Sequence, residues 1–343
     1  MEKAPVQQKE TRPLKNYVTL NPNRQKASRA SFGEALVRVG EENPDVVVLD
    51  ADLSVSTKSA LFAKKFPGRF FQMGIAESNM IGTAAGLALS GKVPFLCSFG
   101  CFVAGRFETI RISIAYNQVN CRIIGTHAGI GIGEDGYTQM ALEDLACMRS
   151  LAGMGVLQPA DDIETQKMIE FLSHHHKGPV YVRLTRQNLP QIFNESYVFE
   201  YGKGVIVHER PMASVPTADK KDISIFATGG VVYHCIEAAQ KLEKEGLSCT
   251  VVNIHTLKPL DEKLVIDLAQ THKWVVTAED HNIIGGLGSA VCETLAEVSP
   301  HAPVLRIGIE DVYGESGTGE DLYDKYGLST PKIYERLAKY VQL

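Results

Sequence analysis

A strand-like run, Arg69-Phe70-Phe71-Gln72-Met73, stops at Gly74, and a helix of small residues from Ser78 to Ser90 starts just after it. Glu77 is thereby placed at a strand-to-helix switch, where ligands collect in open α/β sheets. A glutamate able to share a proton in a dry site suits acid–base work, because burial raises its pKa. Read alone, a glutamate in the first turn of a helix is also simply favoured by the dipole. His127 follows a second strand and precedes the glycine-rich stretch Gly129 to Gly136, although a lone histidine at a strand end is usually structural. Asp135 lies in Gly133-Glu134-Asp135-Gly136, and an aspartate between glycines ordinarily means a turn. Arg186, in Leu184-Thr185-Arg186-Gln187-Asn188-Leu189-Pro190, follows a third strand and carries a fork suited to a bidentate oxyanion, or is a surface arginine. Phe99 and Phe102 stand three apart at a further strand-to-helix turn, either as core or as a stacking platform.

The elements that must hold these residues alternate. Apolar positions from Ala30 to Val39 recur at helical spacing, and Val46-Val47-Val48-Leu49 is a continuous apolar run of strand length. A helix closes over Leu61 to Lys65, the strand Val93 to Cys97 leads to a helix over Phe102 to Tyr116, and Arg122 to Gly125 is the next strand. Helix Leu142 to Ser150, strand Gly155 to Leu157, helix Ile163 to Ser173 and strand Val180 to Val182 complete a first domain. A second alternation runs from Ile223 to Ile307. Strands alternating with helices predict right-handed crossovers and mostly parallel sheets, so the fold class is α/β in two consecutive domains. The expected boundaries are a tail over 1–25, a first domain over 26–193, a linker with a polar, Pro-containing exposed loop over 194–221, and a second domain over 222–343.

Gly-Ile-Ala-Glu-x-Asn-Met at such a switch resembles the pyrimidine-binding domain of transketolases, and the segment His127 to Leu145 resembles the same family more closely still. The resemblance runs from about Arg29 to the C-terminus. It implies a thiamine diphosphate-binding fold followed by a transketolase C-terminal domain, and thiamine diphosphate as cofactor. It implies that Glu77 bonds N1′ of the aminopyrimidine and promotes the imino tautomer that removes the C2 proton, with the carbanion chemistry belonging to the cofactor. It places Phe99 and Phe102 against the aminopyrimidine ring, with Phe102 the better match, and Asp52 on the cofactor side. His127 matches a residue that contacts the donor sugar's hydroxyls and helps move protons, and Asp135 one that reads a substrate hydroxyl. Gln139 stands where many members carry histidine; an amide does not titrate, so proton transfer there is in question. Arg186, Arg29 and Ser56 align with contacts to the substrate phosphate, Ser56 being equally suited to cap a helix. Arg106 lies near the ring or faces a partner chain. Gly285-Gly286-Leu287-Gly288-Ser289 looks like a dinucleotide loop without its full spacing or its acidic residue. After Glu279-Asp280-His281 it resembles the C-terminal domain, which carries no catalytic residues in the family, and its glycines read as packing.

A transketolase also has an N-terminal half that grips the diphosphate through a divalent metal, with Gly-Asp-Gly as its usual signature. No Gly-Asp-Gly occurs here. The expectation is a two-chain enzyme: this chain is the C-terminal subunit, and an N-terminal subunit supplies the diphosphate site with Mg2+ or Ca2+, most simply as α2β2. The substrates are then sugar phosphates, with a ketol unit transferred from ketose to aldose, or an unusual sugar such as apulose phosphate or a sulfonated ketose. The competing readings are the β subunit of a 2-oxoacid dehydrogenase, a deoxyxylulose-phosphate synthase-like enzyme, and a non-catalytic partner subunit. A net charge of −5 and a pI near 6.1 give no reason to expect nucleic acid. No apolar run approaches the ~18 residues of a membrane span, and Met1 to Lys15 lacks the apolar core of a signal peptide. Seven cysteines without a Cys-x-x-Cys pair suggest reduced thiols in a cytoplasm. His174-His175-His176 reads as a solvated helix end rather than a metal site.

Overall fold

The computed structural model describes residues 16–209 and 222–342. Strands β1 (Val18–Ala27), β2 (Val46–Asp50), β3 (Phe70–Gln72), β4 (Val93–Phe99), β5 (Arg122–Thr126), β6 (Gly155–Leu157), β7 (Val180–Arg183) and β8 (Asn188–Phe193) come from the first part of the chain. The second part adds β9 (Val205–Glu209), β10 (Asp222–Ala227), β11 (Ser248–Asn253), β12 (Thr256–Lys258), β13 (Trp274–Asn282) and β14 (Val304–Ile309). Seven strands make one sheet in the order β12-β6-β7-β5-β4-β2-β3, and five make a second in the order β14-β13-β10-β11-β9. All pairings within these two sheets are parallel except the edges β12·β6 and β9·β11. Every residue of β2, β4 and β5 is buried, which is why β2 and β4 read as near-continuous apolar runs, whereas β5 buries Arg122 and Thr126 around its apolar centre.

The helices of the first part are α1 (Ser28–Glu42), α2 (Ser54–Thr57), α3 (Ala60–Lys65), α4 (Glu77–Leu89), α5 (Gly100–Ala104), α6 (Phe107–Ile110), α7 (Asp144–Ser150) and α8 (Asp162–His174). Those of the second are α9 (Val231–Lys244), α10 (Glu262–Thr271), α11 (Leu287–Ala296), α12 (Gly319–Lys325) and α13 (Thr330–Tyr340).

Four expectations change. Residues 18–25, expected in a tail, lie in β1, which pairs antiparallel with β8. Its alternation covers only Val18-Thr19-Leu20-Asn21, and Pro22 to Gln25 is exposed throughout, so the pattern is too short to announce a strand. Within the expected linker, Val205–Glu209 is an edge strand against β11, while the loop over 212–221 lies outside the described residues. The helix expected over Phe102 to Tyr116 is three pieces: α5, α6 and a wide π turn over Arg111–Ala115. Gly105, a poor helix former, ends α5, and Arg106 leaves helical geometry at φ −102° and ψ 31°. Finally, β12 belongs by sequence to the second domain but by hydrogen bonding to the first sheet. The histidine run does mark a helix end: α8 stops at His174 and His175 caps it. All seven cysteines are free thiols, four of them buried.

Candidate active site

The carboxyl ends of parallel strands share one edge of the sheet. Between β2 and β4 the connections diverge, β2 leading outward to β3 and β4 leading to β5 on the other side. Such a reversal opens a crevice at that edge. Ser56 and Asp52 follow β2, Glu77 follows β3, Phe99 ends β4, His127 follows β5, and Arg186 follows β7. Arg29 joins them because the start of α1 is tied to the same edge: Thr185 N donates to Ser28 Oγ at 2.7 Å, and Arg29 N to Thr185 O at 3.4 Å.

Gly74 takes φ +71°, a turn that glycine makes cheaply, and this lets the chain leave β3 and enter α4 at Glu77. Glu77 is 6% exposed. Among the described residues its carboxylate has one charged neighbour, the half-exposed Arg106, with Nη2 3.8 Å from Oε2. That separation is beyond a hydrogen bond, so the buried oxygens are available to a ligand donor. Phe99 stacks on His127 at 3.8 Å and on Phe102 at 5.5 Å, the phenyl planes 11° apart. A third ring between two others requires roughly 7 Å, twice the contact distance of carbon atoms. A heterocycle therefore cannot lie between Phe99 and Phe102; Phe99 is buried and only the half-buried Phe102 offers a face.

His127 is buried and held at φ +59°, an uncommon backbone for a residue with a side chain. Its tautomer follows from its partners. Arg29 Nη1 lies 2.8 Å from Nε2, and a guanidinium only donates, so Nε2 carries the lone pair. The ring proton is then on Nδ1, donated to Thr126 Oγ1 at 2.8 Å, and that hydroxyl donates onward to Ser98 O at 3.3 Å. Burial, reinforced by Arg29, Arg186 and Lys58, lowers the imidazole pKa to about 3.

Arg29 Nη1 also donates to Ser56 O at 2.9 Å, while its buried Nε finds no acceptor among the described residues. Burial, and then Arg186, depresses its pKa. Arg186 Nη1 donates to Ile132 O at 2.9 Å and lies 3.3 Å from Asp135 and 3.6 Å from Glu134. The exposed Asp135 thus faces a cation, not an empty turn. Gln139 ends a single 3-10 turn, half-buried, with no side-chain hydrogen bond among the described residues. Ser56 lies inside α2 instead of capping it; its carbonyl, not its hydroxyl, meets Arg29. Asp52 is exposed at φ +64°. The buried acid of that turn is Asp50, which accepts from Leu53 N, Thr57 Oγ1 and Ser59 Oγ and whose pKa is raised by burial. Sequence reasoning passed over Asp50, whose position at the end of an apolar strand was its one signal.

The Gly285–Gly288 loop wraps the chain's own carboxylate, not a nucleotide. Glu279 accepts from Leu287 N at 2.7 Å and Gly288 N at 2.8 Å, and a Cβ on Gly286 would fall 1.9 Å from Glu279 Oε2. Among the described residues no group of three or more His, Cys, Asp or Glu could hold a metal ion.

A family model described as "Transketolase, pyrimidine binding domain" matches residues 24–191, and one described as "Transketolase, C-terminal domain" matches residues 213–333. A putative transketolase C-terminal section of Methanocaldococcus jannaschii is 44% identical over 91% of this chain and 95% of its own. This chain belongs to the transketolase family. The 6-deoxy-6-sulfo-D-fructose transketolase subunit SqwH of Clostridium sp. is 37% identical, over 89% of this chain and 91% of that protein. A subunit of the apulose-4-phosphate transketolase of Phocaeicola vulgatus is 33% identical, over 92% of this chain and 98% of that protein. A solved structure described as a split gene transketolase, inactive beta4 tetramer, superposes with a TM-score of 0.82 at 45% identity, covering 92% of this chain and 99% of that one. The chain is accordingly a transketolase C-terminal subunit, and its family indicates use of thiamine diphosphate.

Proposed function

We propose that this chain is the C-terminal half of a two-chain, thiamine diphosphate-dependent transketolase that transfers a two-carbon ketol unit from an anionic ketose to an aldose. The single observation that carries the reading is the convergence of Arg29 and Arg186 beside the buried, neutral His127, on the same sheet edge as the weakly paired Glu77. Two guanidinium groups beside a histidine make an oxyanion site with an adjacent proton acceptor. The residues present fit the pyrimidine end of the cofactor. Glu77 would hold a proton at N1′ and Phe102 would cover one ring face. Bound there, thiamine diphosphate supplies the carbon centre on which the ketol bond is broken and remade. Arg29, Arg186 and Ser56 would grip the terminal phosphate or sulfonate. His127 Nε2 would exchange Arg29 for a sugar hydroxyl, while Asp135 and Gln139 would contact further hydroxyls.

The diphosphate and its Mg2+ or Ca2+ are assigned to an N-terminal partner subunit, with α2β2 as the simplest closed assembly. The similar structure described as an inactive β4 tetramer supports dependence on such a partner. A guanidinium takes sulfonate nearly as well as phosphate, so both relatives' substrate types enter the test. The chain is purified alone and after co-expression with an N-terminal transketolase subunit, then assayed on phosphorylated, sulfonated and branched ketose donors. The expected result is weak cofactor binding and no turnover alone, and ketol transfer by the pair. Turnover by the single chain sinks the two-chain reading. A fully assembled pair inactive on every donor leaves a non-catalytic subunit.

A further inference from the structure

The second domain buries a carboxylate against the first beside the candidate site. Asp280, near the end of β13, is buried between the domains. Its Oδ1 accepts from the backbone N–H of Ile130 at 2.7 Å. Its Oδ2 accepts from Tyr323 Oη at 2.9 Å, and Gln187 Nε2 donates to the same Tyr323 oxygen at 2.6 Å. Ile130 lies three residues after His127 and opens the glycine loop that carries Asp135, whereas Gln187 adjoins Arg186. The loop is shaped to admit this group: Gly129 sits at φ +89°, and a Cβ there would fall 2.1 Å from Asp280 Oδ2. Arg183, whose Nη2 donates to Asp280 O at 2.8 Å, fixes the β13 backbone against β7.

We infer that Asp280, through Ile130 on one oxygen and Tyr323–Gln187 on the other, is a positioning residue that sets the spacing between the glycine loop and Arg186. This inference rests on the transketolase reading for its substrate and deepens it: the second domain, which touches no reacting group, fixes the width of the anion end of the donor site. The cofactor end lacks this support, since Glu77 and Phe102 make no contact with Asp280.

Asp280→Ala removes both acceptors, the one that holds Ile130 N–H and the one that meets Tyr323 Oη. Tyr323→Phe spares the Ile130 bond and cuts only the Gln187 arm. In the free chain, amide exchange over Ile130–Gly136 is expected to accelerate about tenfold in Asp280→Ala, with the strands of both sheets unchanged. In the reconstituted pair, KM for the accepted anionic ketose is expected to rise about tenfold or more, because ångström displacements at positioning groups have effects of that order. Cofactor affinity and kcat on hydroxypyruvate should stay within about twofold, and Tyr323→Phe should shift the same KM in the same direction by less. Unchanged exchange at Ile130 overturns the inference, as does a loss shared equally by cofactor affinity and both donors. If the wild-type pair transfers nothing, the transketolase proposal fails on its own, and the exchange measurement still decides whether Asp280 holds the loop.

Discussion

His127 and Glu77 both follow parallel strands at one sheet edge and both are buried, yet the chain surrounds them differently. His127 has each ring nitrogen bonded, a ring stacked on it, and two arginines near it. The loop beside it is pinned from the second domain by Asp280. Glu77 has one half-exposed arginine at 3.8 Å, and the helix it opens exposes Ser78, Asn79, Gly82 and Gly86, with open space beyond both glycines. The end assigned to the sugar is held by more of this chain's own bonds than the end assigned to the cofactor. The difference teaches where the proposed second chain has most room to act: at the exposed face of α4 beside Glu77.

The sharpest way to break this contrast is at Glu77. Glu77→Ala in the assembled pair should lower kcat by about 10²–10⁴, the usual cost of losing a proton-relay group, with assembly intact by gel filtration. A variant within a few-fold of wild type would reduce Glu77 to a helix-start residue. Next, Arg186→Ala should cost about tenfold to a hundredfold in kcat/KM on anionic ketoses, the worth of a charge-assisted contact of about 1.5–3 kcal/mol. Hydroxypyruvate should barely respond. Equal losses on both donors would move Arg186 from substrate to fold. Ser56→Ala should cost less, about twofold to tenfold in KM, because one neutral hydrogen bond is worth about 0.5–1.5 kcal/mol and the carbonyl that holds Arg29 survives. No change at all would leave Ser56 with its backbone role alone.

The smallest effect is a slope. Folding lowers the His127 pKa from 6.5 to about 3, so the unfolded chain takes up this proton before the folded one does. Its stabilising contribution is present in full above about pH 6.5 and is lost as pH falls toward 3. His176 and His281, lowered to about 4, and His255, lowered to about 3, act with the same sign. His127→Gln should therefore shallow, without abolishing, the fall of Tm between about pH 6.5 and 4. An unaltered slope would mean that the imidazole is not held neutral.

The sheet carrying the site was legible because parallel strands buried on both faces are unbroken apolar runs, as in Val46 to Leu49. The positions of Glu77, His127 and Arg186 at strand ends were legible, but their candidate roles came from the resemblance of the flanking motifs, since a helix-start glutamate, a lone histidine and a surface arginine read as structural by themselves. The β1 strand was not legible, since its apolar and polar residues alternate only from Val18 to Asn21 before an exposed run through Gln25. Nor was the closeness of the phenyl rings, because three-residue spacing fixes direction but not whether a slot stays open between them. Asp280 was hidden for a simpler reason. Its partner Ile130 lies 150 residues away, and an acidic residue inside an apolar strand signals only that some donor must exist.

The exchange of β12 has a practical consequence for anyone wishing to transplant the pyrimidine domain. Thr256 and Lys258 pair with Leu157 and Val156, and Lys258 Nζ also donates to Arg149 O and Leu151 O at the end of α7. A graft cut at the end of β8 would leave β6 as a bare margin of backbone donors and acceptors, a template for sticking to other chains. The portable piece is therefore discontinuous: residues 16–193 with the stretch 256–258 restored to the margin, either by circular permutation or by a short tether. A gain in solubility on adding back those three residues would show that the ownership of a strand, and not its place in the sequence, marks the true seam of the molecule.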